Sequence, residues 1–355
     1  KSAELQDYFQ NDCVIPDQAV DLKLVEAATA IIYPVILADR LEVLVNIDDQ
    51  VYQFVQSVSA SALEQLANDF RYNLELDQGD DEYKALGEEL HELVFADVEP
   101  LLREKSVETL LVIPDGILRT IPFSAFFDGD QYMIEKYAIA TTPGISLTFP
   151  KRLDVQEATL FAGGISHSVQ GFSSLPGVPG ELDKLQDQHG AQILHNEEFQ
   201  RSTIEAQLSS EQYSIVHIAT HGHFDSNPQQ SYLLTYDGKL TMDLLEQSIG
   251  SRQQSGNTLD LLVLSACETA VGDNRAALGL AGVALKAGAR SAVASLWQIS
   301  DAATVLIIGS FYDHATKDHI SKAQALKKAQ NELINSERHS HPSDWAPFLL
   351  IGNWL

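Results

Sequence analysis

The chain has 355 residues and a formal charge of −27, from 23 Lys and Arg against 50 Asp and Glu. Its 45% hydrophobic share supports a buried core and excludes bulk disorder, and the length suits two domains or one large composite. The acidic excess argues against nucleic acid as a ligand, and no stretch approaches the roughly 18 apolar residues that cross a bilayer, so no membrane association is expected.

In chain order, residues 28–38 and 41–47 read as β runs with Asp48-Asp49 as turn material. Ser61 and Glu64 have capping-box spacing and open the amphipathic ALEQLANDF segment. The spacing predicts one helix over 81–104, rich in acid (Asp80, Asp81, Glu82, Glu88, Glu89, Glu92, Asp97, Glu99), which reads as a solvated helix face. A buried strand follows and ends in the Pro114-Asp115-Gly116 turn, and a linker is expected near 150–157. Beyond it, strands are expected at 158–163, 213–219, 259–265, 291–296 and 347–351, with helices near 178–189, 202–210, 276–288, 301–315 and 321–335. Runs such as LDLLVLS and SAVASL lack period-2 alternation, the mark of strands buried on both faces. Strand–helix alternation with such strands predicts an α/β fold, a mostly parallel sheet flanked by helices, with ligands at the carboxyl ends of the strands.

Two strand ends carry chemistry. SIVHIA runs into Thr220-His221-Gly222-His223-Phe224-Asp225, and LDLLVLS runs into Ala266-Cys267-Glu268. A cysteine nucleophile needs a base and oxyanion donors. His221 and Cys267 are 46 positions apart, room for a crossover that sets two strand tips side by side. Gly222, lacking a side chain, lets a backbone N–H point into a site, where it and the N–H of Cys267 would form an oxyanion hole. The plain readings stand beside these: a cysteine after an apolar strand is often a small core residue, and His217, inside its strand, reads as structural. Cys13 and Cys267 make no disulfide framework, so a reducing, cytoplasmic setting is expected, and Lys1 in place of Met suggests a piece of a longer polypeptide.

His217, His221, His223 and Asp225 also admit a zinc reading, with Cys267 and His314 as further ligands. The metallo-β-lactamase pattern wants a second His after the Asp, where this chain has Ser226. No phosphate-binding loop, H-E-x-x-H, G-x-S-x-G or C-x-x-C occurs, and Gly163-Gly164 is too short for a dinucleotide fingerprint, so no metal and no cofactor are expected.

The segments A-T-H-G-H-F, L-V-L-S-A-C-E-T-A and A-S-L-W-Q-I-S-D-A-A-T resemble the CHAT domain, a caspase-like peptidase domain often found after tetratricopeptide repeats. LVIPDGILRTIPFSAF (111–126), SSLPGVPGELDKL (173–185) and HPSDWAPFLLIG (341–352) extend the likeness over nearly the whole chain. One departure is Asn274-Arg275-Ala276-Ala277, where members usually carry a Glu-Gly pair. The resemblance implies a caspase-like (caspase-hemoglobinase) fold, with an accessory pseudo-caspase subdomain over 1–155 and a catalytic one over 156–355. It implies a cysteine endopeptidase with His221 as base and acid, Cys267 as nucleophile, and the Gly222 and Cys267 N–H groups as oxyanion hole. Ser295 and Trp297 would flank the pocket for the residue before the scissile bond, and Asp301 at its base would favour Arg or Lys. Ser300-Asp301 equally suits a helix N-cap. The implied partners are a protein or peptide substrate and a tetratricopeptide-repeat region or regulatory protein. Arg275 in the 270–277 loop is a candidate self-cleavage point. A non-catalytic scaffold of the same fold is the alternative function, and a zinc hydrolase the third.

Overall fold

The computed structural model describes residues 28–76, 81–145, 148, 150–210, 212–224, 228–254, 258–265, 268–269, 288–317 and 320–355. The first half contributes strands β1 (Thr29–Ile36), β2 (Leu41–Ile47), β3 (Gln50–Gln56), β4 (Thr109–Val112) and β5 (Ala138–Thr141). Its helices are α1 (Ala60–Leu76), α2 (Glu82–Val94), α3 (Glu99–Glu104) and the short α4 (Met133–Lys136). The second half contributes β6 (Leu160–Gly164), β7 (Gln192–His195), β8 (Ile215–Ala219), β9 (Gly222–Phe224), β10 (Tyr232–Thr235) and β11 (Gly238–Thr241). These are followed by β12 (Leu261–Leu264), β13 (Glu268–Thr269), β14 (Ser291–Ser295) and β15 (Phe348–Gly352). Its helices are α5 (Val178–His189), α6 (Arg201–Ser209), α7 (Met242–Gln254), α8 (Asp301–Lys317), α9 (Lys322–Ile334) and α10 (Pro342–Trp345).

One eleven-stranded sheet runs through both halves in the order β3-β2-β1-β4-β5-β15-β14-β12-β8-β6-β7. Only β1–β2, β2–β3 and β14–β15 pair antiparallel in it. Every residue of β8, β12 and β14 is buried, which is why their apolar runs show no alternation. The β2–β3 hairpin turns on Asp48 (φ 52°) and Asp49 (φ 63°), the left-handed pair that matches the strand twist. A smaller sheet, β11-β10-β9-β13, stands at the carboxyl ends of β8 and β12.

The helix expected over 81–104 is instead two, α2 and α3, broken at 95–98. Pro100 lies in the first turn of α3, where its missing N–H costs nothing, whereas inside a continuous helix it would remove a hydrogen bond. The acidic face is exposed at Glu88, Glu89 and Glu92, but Glu99 is buried. Its Oε1 accepts from Lys136 Nζ at 2.6 Å, its Oε2 lies 3.6 Å from His91 Nε2, and Lys136 also donates to Asp128 Oδ2. The helix expected at 276–288 and the loop 270–277 lie almost wholly outside the described residues.

Lys136 gives a pH signature. Burial alone would raise the Asp128 pKa. The Lys136 ammonium and the N–H groups of Gln131 and Asp130 overcome that and hold it at about 2, against 3.8 ordinarily. A carboxylate depressed in the folded state stabilises above its unfolded pKa and loses that contribution as pH falls through the folded one. The expected contribution is about 2 kcal/mol at pH 6, roughly half of it gone at pH 3. Lys136→Met is expected to be less stable than wild type at pH 6 by about 3 kcal/mol, because Glu99 loses its buried partner. Urea titrations at the two pH values check this: a gap between the two proteins that does not narrow at pH 3 would contradict it.

Candidate active site

The carboxyl ends of β6, β8, β12 and β14 open on a cleft lined by Glu181, His221, Ser265, Ser295, Gln298 and Asp301 among others. His221 follows β8 and is held on both sides by backbone. Thr220 Oγ1 donates to Leu234 O at 2.9 Å, and Leu234 N donates to His221 O at 2.8 Å. The His221 ring is fixed by the loop after β6. Its Nε2–H donates to the carbonyl of Ser173 at 2.8 Å, and Phe172 packs on it with ring centres 5.1 Å apart. A carbonyl oxygen only accepts, so the proton of the neutral imidazole sits on Nε2 and the lone pair on Nδ1. That loop is itself tied down. Leu175 N donates to Ser166 O, Ser168 Oγ to Phe172 O, and Gln170 Nε2 to Thr235 O.

Cys267, Asp225 and Arg275 lie outside the described residues. On either side of Cys267 in the chain, Ser265 lines the cleft and Glu268 pairs in parallel register with His223, so β13 lies beside β9. Gly222 is buried and opens β9, opposite Leu233 of β10.

Beneath the cleft is a buried polar chain. Ser265 Oγ donates to Glu181 Oε2 at 3.1 Å. Glu181 Oε1 lies 3.1 Å from His217 Nε2, close but not aligned for a hydrogen bond. His217 Nδ1 is 3.4 Å from the Tyr312 hydroxyl. Burial, with the Glu181 charge beside it, pushes the Tyr312 phenol well up. His217 is thus a core residue facing Glu181. His314 turns to Glu332 and His223 stacks against Tyr232, so the four imidazoles of the zinc reading do not converge, and no metal-holding group of three forms among the described residues.

Ser295 lines the cleft and is buried. Trp297 is buried and turned away to the carbonyl of Ser343, to which Nε1–H donates at 3.2 Å. Asp301 lines the cleft and reaches across it, Oδ2 accepting from Gly177 N at 2.8 Å just ahead of α5. The approach is close enough that a Cβ on Gly177 would stand 2.7 Å from that of Asp301. The N-cap duty falls to Ser300, whose Oγ accepts from Ala303 N. Sequence reasoning did not find Ser173, Glu181 or Ser265. All three lie in or beside segments that carried the resemblance, but a backbone carbonyl leaves no sequence signal.

The CHAT domain profile matches residues 84–353. The chain belongs to the CHAT domain family. Its curated relatives include human tetratricopeptide repeat protein 28, 32% identical over 131 residues, which cover 36% of this chain and 5% of that protein. The mouse counterpart is 34% identical over 98 residues, 27% of this chain and 4% of its own length. This CHAT chain therefore corresponds to a small part of those proteins. The fold is also similar to that of part of separase. Two crystal structures of the Saccharomyces cerevisiae separase–securin complex align over 94% and 93% of this chain and 30% of theirs, with TM-scores of 0.58 and 0.53 and identities of 10% and 9%. The CHAT chain thus has a caspase-like α/β fold, and no described helix is long and apolar enough to cross a membrane.

Proposed function

We propose that this CHAT domain is a cysteine endopeptidase. The observation that carries the reading is His221, clamped by Ser173 O and Phe172 at the rim of a cleft whose wall includes Ser265, two residues before Cys267. With its proton held on Nε2, His221 takes the Cys267 thiol proton at Nδ1. The thiolate attacks the peptide carbonyl, and the oxyanion is received by the N–H groups of Gly222 and Cys267. The C–N bond breaks as His221 returns the proton to the leaving amine. Water, deprotonated by His221, then hydrolyses the thioester and restores the thiol.

The cleft suits a cationic side chain before the scissile bond. Its lining includes the carboxylate of Asp301 and the buried one of Glu181, and no lysine or arginine is among its described lining residues. Ser295 forms part of the same wall. The repeat-protein relatives suggest control by an attached tetratricopeptide-repeat region or a regulatory protein.

The test is an intact-mass measurement with peptidyl electrophiles carrying Arg, Leu or Asp at the recognition position. One adduct per chain with the Arg probe is expected, absent in Cys267→Ala, slowed in His221→Ala and insensitive to chelator. A Cys267 that iodoacetamide labels readily but no peptidyl probe labels would favour the scaffold alternative. Equal labelling by Arg and Leu probes would remove the basic preference.

A further inference from the structure

The wall of the cleft on the β14 side is braced from a helix that lies outside the family-matched region. Helix α1 precedes residue 84, and its Arg71 is only 8% exposed. The guanidinium serves four groups at once. Nη2 donates to Leu296 O at 3.2 Å, Nη1 to Thr120 O at 3.4 Å and Nε to Glu75 Oε1 at 2.6 Å, while the guanidinium carbon stands 5.9 Å from the Trp297 ring centre. Leu296 and Trp297 are the residues at which β14 leaves the sheet, and Ser295, Gln298 and Ile299 on either side of them line the cleft. The opposite flank is tied to the α9–α10 segment and the β15 entry: Leu296 N donates to Pro347 O at 3.0 Å and Trp297 Nε1 to Ser343 O.

A planar fork holding two carbonyls, a carboxylate and a ring face fixes both position and orientation of that turn. A lysine, with one compact charge, cannot meet the same set. We propose that Arg71 is a positioning residue that sets the cleft wall 295–299 against the substrate side chain. The substrate role rests on the peptidase reading; the bracing itself does not. His221 follows β8 and Cys267 comes after β12 in the chain, both apart from the 295–299 turn, so loss of the brace acts on recognition rather than on the acyl chemistry.

The experiment uses the full chain with Arg71→Met and Arg71→Lys. Hydrogen exchange of peptides spanning 293–300 is compared with those from β6 and β8, and KM and kcat are measured per titrated site on a peptide with Arg before the scissile bond. Arg71→Met is expected to speed exchange at 295–299 alone and to raise KM about tenfold with kcat within threefold, with Arg71→Lys recovering part. Unchanged exchange at 295–299, or a lower Tm with KM and kcat per site both intact, would overturn the proposal. A wild-type chain with no Cys267-dependent turnover removes the peptidase reading instead. Exchange then decides the bracing alone: acceleration confined to 295–299 sustains it and uniform acceleration refutes it.

Discussion

His221→Ala is expected to lower Cys267-dependent peptide cleavage by about 10³-fold, within the range for removing a positioned general base, while leaving stability within about 1 kcal/mol. The small stability cost follows from the place of the ring. It is half-buried at the cleft rim, and its Nε2 partner is an exposed loop carbonyl. The large rate cost follows from the fixed tautomer, and among the described lining residues of the cleft there is no other imidazole. Ser173→Ala is expected to cleave like wild type, because the acceptor is the main chain. Phe172→Ala is expected to fall between, because it frees the ring without removing the carbonyl. Steady-state rates with thermal melts on the three variants check the order. An His221→Ala protein within threefold of wild type would end the role assigned to it.

Gly164→Ala is expected to carry the largest stability loss of any single-methyl change at this site, about 3 kcal/mol and several degrees in Tm. Gly164 is the last residue of β6 and pairs with Ala219, the last of β8. A Cβ there would stand 2.2 Å from Ala219 O and 3.0 Å from Val178 Cγ1. Ala219 O already accepts from Ile165 N at 3.0 Å, so it cannot retreat without breaking the ladder. The displacement falls two residues before His221, so rate per folded molecule should fall with stability. Gly163→Ala meets the buried Phe199 ring at 2.6 Å and a backbone oxygen, Leu194 O, only at 3.1 Å, and should cost less than the 2.2 Å backbone clash at Gly164. Gly180→Ala, with open space around it in the first turn of α5, is expected to stabilise slightly. Urea unfolding of the three proteins reads the ranking, and a neutral Gly164→Ala would contradict the close approach.

Some misses come from elements too short to carry a period. Strands β7, β9, β10 and β11 have three or four residues each, and β3, with three glutamines in QVYQFVQ, is an edge strand whose exposed Val51 and Val55 look nothing like a core run. Helix α7 mixes Ser, Gln, Gly and Arg through its length and shows little amphipathic contrast. The broken helix at 95–98 was marked by Pro100, whose place at a first turn rather than an interior depended on the burial of Phe95 and Val98.

By itself the sequence determined the class and the chemistry on offer. Unbroken apolar runs required strands covered on both faces, helical patterns between them required crossovers, and the ends of β8 and β12 had to carry His221 and Cys267. These are local properties, decided by hydrophobic period and turn residues over ten positions or fewer. Only the tertiary structure decided how the site is held. The Ser173 carbonyl that selects the His221 tautomer comes from 48 positions away, the Glu181 carboxylate that anchors Ser265 from 84, and the Arg71 guanidinium behind Leu296 from 225. Such partners leave no mark on the local pattern, because a carbonyl belongs to every residue and a buried charge is tolerated only where the fold delivers its complement.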